Sequence, residues 1–159
     1  MFTQKTGLTE ITIGKNVTEI GSFAFNGCTN LEKVTFADGG TEGLVISNEA
    51  FANCSKLAEV NLPVRLVSIS AGAFRSCRAI TEIVIPEGVE SIGAEAFQWC
   101  SSLVRVSLPK TLSSLGYTES GSELYMYVFR YCNALEEINV ASDLSLIHIS
   151  EPTRRRGIS

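Results

Sequence analysis

An α/β solenoid built from coils of about 23 residues is the fold class that the sequence predicts. Three observations carry that prediction. Ala-Phe-x-x-Cys occurs at Ala24–Cys28, Ala50–Cys54, Ala73–Cys77 and Ala96–Cys100, and returns as Val128-Phe129-x-x-Cys132. All five cysteines occupy that one position, and a leucine or isoleucine follows each of them three residues later (Leu31, Leu57, Ile80, Leu103, Leu135). Between these phrases lie short stretches of alternating apolar residues. A recurring period of strand and turn signals encodes a stack of similar coils, each touching only its neighbours.

Counted from the leucine after each cysteine, the units are Leu8–Asn30, Leu31–Lys56, Leu57–Ala79, Ile80–Ser102 and Leu103–Ala134, with a partial sixth from Leu135. Three have 23 residues, the second has three more and the fifth nine more. Each opens with an apolar set: Leu8/Ile11/Ile13, Leu31/Val34/Phe36, Leu57/Val60/Leu62, Ile80/Ile83/Ile85, Leu103/Val106/Leu108 and Leu135/Ile138/Val140. The last two members are two apart, the period of a strand with one buried face. Successive coils would lay these strands side by side as a parallel sheet.

A turn comes next. Pro63, Pro86 and Pro109 follow the strand directly, with Gly14 in the first unit; proline lacks the donor that a ladder needs. A second apolar pair follows: Val17/Ile20, Leu66/Ile69, Val89/Ile92, and less regularly Val45/Ile46 and Leu124. Gly21, Gly72 and Gly93 mark bends where a side chain is costly or φ is positive. The closing Ala-Phe-x-x-Cys-x-x-Leu segment spaces its apolar residues three or four apart, which predicts one to two short helical turns. Phe25, Phe51, Phe74, Phe97 and Phe129 should then form an inner column, with Cys28, Cys54, Cys77, Cys100 and Cys132 beside it. The cysteine spacing matches no compact metal signature. Side chains running parallel into a core suit a disulfide poorly, so the thiols read as small buried hydrophobes.

The segment Ile83-Val-Ile-Pro-Glu-Gly-Val-Glu-Ser-Ile-Gly-Ala-Glu-Ala-Phe-Gln-Trp-Cys-Ser-Ser-Leu103 resembles the leucine-rich repeat of the BspA-like family. The resemblance covers Leu8 to Val140 in five phased copies. It departs at Ala37–Gly43 of the second unit and at Gly116–Tyr125 of the fifth. It implies a curved array with the opening strands on the concave side. It also implies large bacterial or protist proteins, secreted or surface-attached and linked with adhesion, and hence an extracellular or cell-surface location.

Residues 144–159 break the phase. Leu144–Arg154 resembles the translated constant part of a transposase-type sequencing adapter, Arg155–Gly157 its barcode, and Ile158-Ser159 the constant stretch beyond. The expected organisation is therefore a repeat domain over 1–143, a truncated array, followed by a non-native, disordered tail. Leu8 already opens a coil, so the array is expected to have begun upstream of it. The tail holds the only histidine, His148, and three of the thirteen basic residues. The net charge of −4, with no basic stripe, argues against nucleic acid. No apolar run reaches the roughly 18 residues of a membrane helix, so no membrane insertion is expected.

No nucleophile elbow, His-Glu-x-x-His arrangement or phosphate loop is present, and neither an enzyme nor a cofactor is expected. Function would then live on surfaces. One candidate is the outer face of the opening strands, where Thr12, Thr35, Asn61, Val84, Ser107 and Asn139 form one column and Glu10, Lys33, Glu59, Glu82, Arg105 and Glu137 another. The second is the insertion of the fifth unit, with Tyr117, Tyr125 and Tyr127. The expected partner is a host or neighbouring-cell protein or glycan. The rival readings are a spacer or stalk without a ligand, and an intracellular repeat protein.

Overall fold

The computed structural model describes residues 1–117 and 127–140; the expected tail lies outside them. Eleven short strands run through the described residues, and every pairing is parallel. The opening strands are β1 (Glu10–Ile13), β3 (Lys33–Phe36), β5 (Glu59–Val60), β7 (Glu82–Val84), β9 (Arg105–Leu108) and β11 (Glu137–Val140). They pair equivalent over equivalent, Ile11 beside Val34 and Ile83 beside Val106. The ladder is interrupted once, leaving β1-β3-β5 and β7-β9-β11 as two three-stranded sheets.

The second apolar pair also forms strands. These are β2 (Glu19–Ile20), β4 (Leu44–Ile46), β6 (Leu66–Ile69), β8 (Ser91–Gly93) and β10 (Ser114–Tyr117), joined in one five-stranded sheet. In the second unit the inward pair is Leu44/Ile46, with Val45 only half-buried. In the fifth it is Leu112/Leu115, both buried, while Leu124 lies outside the described residues. The carbonyls of Gly14, Pro63, Pro86 and Pro109 each accept the N–H three residues on, so one tight turn links the two strands of these coils.

The expected helical turns are wrong: among the described residues the solenoid is all-β, with no α-helix. Hydrogen bonding and backbone angles give the reason. In an α-helix each N–H bonds four residues back. Here alternate amides turn outward to the next coil instead, Phe25 to Ala50, Gly27 to Ala52, Phe51 to Ala73 and Asn53 to Arg75. The amides between them close turns within the coil, Asn26 to Phe23 and Cys28 to Phe25. The residues before the alanine and before the cysteine have positive φ, as at Phe23 (59°) and Gly27 (73°), a left-handed conformation that a right-handed helix excludes. The segment is thus a third side of the coil, tied to its neighbours by backbone bonds.

Inside these three sides the phenylalanine rings lie nearly parallel with centroids 5.2–5.7 Å apart, from Phe25 through Phe51, Phe74 and Phe97 to Phe129. Phe2 adds a further ring, 5.5 Å from Phe25. Its own N–H bonds to Ala24 and its carbonyl accepts the Cys28 thiol, so residues 2–8 follow the same path as the end of a coil. The six-residue step from Phe2 to Leu8 equals that from Phe25 to Leu31. Lys5 in place of cysteine hides the copy.

Of the three marked glycines, Gly72 has φ of 63°, and Gly93 abuts the preceding coil. A Cβ at Gly93 would come within 2.4 Å of the Ala71 nitrogen, whereas one at Gly21 would meet nothing within 4 Å. Gly93→Ala should therefore destabilise the fold by about 1–3 kcal/mol, because backbone cannot yield as a side chain can. Gly21→Ala should be neutral or slightly stabilising. Urea midpoints of the two variants check this, and equal midpoints would contradict the close approach.

Candidate functional site

The opening strands project their alternate residues outward, and register decides which of these meet. Thr12, Thr35, Asn61, Val84 and Asn139 are exposed and Ser107 is half-buried. Thr12 lies beside Thr35, and Ser107 between Val84 and Asn139. Val84 is the apolar member and is 56% exposed. In the neighbouring column Lys33 stands in register between Glu10 and Glu59, and Arg105 between Glu82 and Glu137. Lys33 Nζ lies 3.0 Å from Glu59, and Arg105 Nε lies 3.2 Å from Glu137. The hydrogen bond and charge of Glu59 push the Lys33 ammonium pKa up. The structure therefore gathers the candidate residues into two triads of one charge order, acid–base–acid. The sheet break falls between them, where Glu59 and Glu82 occupy equivalent positions in consecutive coils.

Beside the first triad is an open cleft of about 260 Å³ bordered by Thr35, Phe36, Asp38, Asn61, Pro63 and Arg65. The extra residues of the second unit create it. Arg65 reaches back across that unit and donates to the carbonyls of Gly14 and Val17 in the first. Gly40 is needed beneath it, since a Cβ there would meet the Lys15 carbonyl oxygen. The guanidinium serves as a clamp between coils.

In the insertion, Tyr117 ends β10, Tyr125 lies outside the described residues, and Tyr127 is half-buried. Tyr127 joins a cluster whose other members, Arg130, Tyr131 and Trp99, are not among the candidate binding residues. The Arg130 guanidinium carbon sits 4.7 Å from the Tyr127 ring centre and 4.6 Å from that of Tyr131. Tyr131 in turn stacks on Trp99 with centroids 4.0 Å apart. Trp99 and Tyr131 stand between the phenylalanine and cysteine of consecutive coils, and that shared position was the available signal.

The cysteine column offers no chemistry of its own. All five are free and buried. Each thiol donates to the phenylalanine carbonyl of the preceding coil at 3.1–3.2 Å. Burial pushes Cys54 and Cys132 up to about 12, and Cys77 and Cys100 well above the ordinary thiol value. Protonated, inaccessible thiols are poor nucleophiles and poor metal ligands. Among the described residues no group of three His, Cys, Asp or Glu side chains could hold a metal, and no helix is long and apolar enough to cross a membrane.

A family profile described as the BspA type leucine rich repeat region (6 copies) matches over residues 1–118 and 41–150. No curated protein matches the chain. Among solved structures, a leucine-rich-repeat protein of T. pallidum is 28% identical with a TM-score of 0.69, over 82% of this chain and 58% of its own. The pneumococcal vaccine antigen PcpA is 26% identical with a TM-score of 0.72, over 85% and 31%. A Bacteroides ovatus leucine-rich-repeat protein is 26% identical with a TM-score of 0.64, over 92% and 41%. The chain thus spans between about a third and somewhat over half of the length of these relatives.

Proposed function

Because the chain belongs to the BspA-type leucine-rich-repeat family, we propose that it is a ligand-binding segment of a bacterial secreted or cell-surface protein, engaging a host or neighbouring-cell protein or glycan in adhesion. The repeat family, and the lack of any metal-holding cluster among the described residues, support a non-catalytic role for this segment. The similarity to a pneumococcal vaccine antigen supports the extracellular location. The observation that carries the reading is the charged row on the opening strands. Six consecutive coils place a charged side chain at one register position, as Glu10, Lys33, Glu59, Glu82, Arg105 and Glu137. Solubility needs only some polar residue at such a place, whereas an ordered pattern of charge steers and selects a partner.

Exposed ion pairs contribute little to stability, so the row can be altered without unfolding the chain. The test is binding of the labelled chain to intact epithelial cells. Lys33→Gln combined with Arg105→Gln should weaken it several-fold at nearly unchanged melting temperature, and raising the ionic strength should weaken binding of the unaltered chain. Absence of cell binding by the unaltered chain, or indifference to both changes, returns the reading to a spacer without its own ligand.

A further inference from the structure

The turn side of the coils carries a second surface, distinct from the opening strands. Four consecutive coils are linked there by side chains. Asn26 donates to Glu49 at 3.2 Å, and Arg75 bonds both Glu49 at 2.9 Å and Glu95 at 3.2 Å. This ladder leads to Trp99. One face of the indole is covered by Tyr131 of the next coil. The opposite face looks toward the preceding coil, where the equivalent residue is Ser76, half-buried and short. Trp99 is 42% exposed, so a large part of the indole meets solvent beside a short polar residue.

The backbone makes this placement notable. The residue before the cysteine has positive φ in every coil: Gly27 and Asn53 in the early ones, then Ser76, Trp99 (64°) and Tyr131. Glycine and asparagine suit that conformation, and a bulky aromatic does not. An indole held in that strained conformation with 42% of its surface still open points to use beyond packing.

We propose that Trp99, with Ser76 and the Arg75–Glu95 pair, forms a binding site for a neutral pyranose chain, the sugar ring stacking on the indole face. Such a ring offers an apolar face of C–H bonds and a rim of hydroxyls, and the site offers one flat aromatic face beside a donor and an acceptor. The one guanidinium is shared by two carboxylates and leaves a net negative charge, so the site disfavours an acidic sugar and offers a donor and acceptors to neutral hydroxyls. Hydrogen-bonded coils lie about 4.8 Å apart, close to one sugar residue of an extended chain, so a longer glycan could lie along the ladder.

Trp99 is the only tryptophan, so its fluorescence reports on the site directly. The full chain is titrated with hexaoses of β-1,4-linked glucose, N-acetylglucosamine and xylose. A saturable change in emission with at least one is the expected result. Trp99→Ala should weaken that binding, measured by calorimetry, by about tenfold, the loss of one aromatic contact. Ser76→Tyr extends the stack at a backbone angle that already holds Tyr131 and should block the sugar while Trp99 remains. Unchanged emission with all three sugars, or full affinity in Ser76→Tyr, overturns the proposal. A chain that adheres to cells through its charged row but ignores these sugars refutes this site alone. A chain that binds sugar without adhering refutes the earlier reading alone.

Discussion

Phe74→Ala is expected to cost about 3–5 kcal/mol, enough to unfold much of a domain whose whole stability is typically about 5–15 kcal/mol. Phe74 is fully buried and stands at the middle of the ring column, with Phe51 and Phe97 each 5.4 Å away in planes within 8° of its own. The offset, nearly parallel arrangement adds ring–ring attraction to burial on both sides. In a solenoid stability is close to a sum of coil terms and nearest-neighbour terms, so this change weakens two interfaces and a coil together. Urea unfolding should show a lower midpoint and, where the flanking coils uncouple, a shallower transition. Phe74→Leu, which keeps most of the volume, should lose much less. Phe2→Ala, at a ring 54% exposed with one neighbour, should lose less again. Equal losses at Phe2 and Phe74 would contradict a cooperative column.

The period of the fold was legible because it is written five times and because strand residues two apart have one physical reading. The family and the parallel opening strands follow from that redundancy. The conformation of Ala-Phe-x-x-Cys was not legible in the same way. Inward residues three apart suit a helix and a chain of tight turns equally. The deciding fact, that alternate amides bond to the next coil, belongs to the stack and not to any one segment. Gly27 and Asn53 hinted at positive φ, but Ser76, Trp99 and Tyr131 at equivalent positions concealed it. The second sheet escaped because its inward residues, Leu66 and Ile69 for example, are three apart; the ladder shifts register by one residue between Leu44 and Val45. The charged row could be placed from the strand period. The Trp99–Tyr131 stack was within reach of the same argument, since the two hold one equivalent outward position in consecutive coils.

Alkaline unfolding is the second large effect expected, and it follows from the thiol column. An ordinary cysteine ionises near 9.0. In the fold, burial first and then the charges of neighbouring thiols hold Cys77 and Cys100 far above that value; burial also leads at Cys54 and Cys132, which reach about 12. Below pH 9 the folded and unfolded chains carry the same thiol protons, and the contribution to stability is fully present. Above pH 9 the unfolded chain sheds protons that the folded chain keeps, so stability falls as pH rises. Each thiol contributes about 1.4 kcal/mol per pH unit, and four together roughly 5 kcal/mol per unit. Cooperative unfolding should therefore be complete before about pH 12. Circular dichroism and thiolate absorbance, followed together, should change in one step. Thiolate appearing near pH 9 with the fold intact would show that solvent reaches the column. Cys77→Ala should be less stable at neutral pH, having lost a packed sulfur and its bond to the Phe51 carbonyl, yet show a shallower alkaline loss because one titrating group is gone. The coupling is chemical as well as electrostatic. Only a protonated sulfur can donate to the phenylalanine carbonyl of the preceding coil, so each ionisation replaces a bond between coils with a negative sulfur facing a carbonyl oxygen.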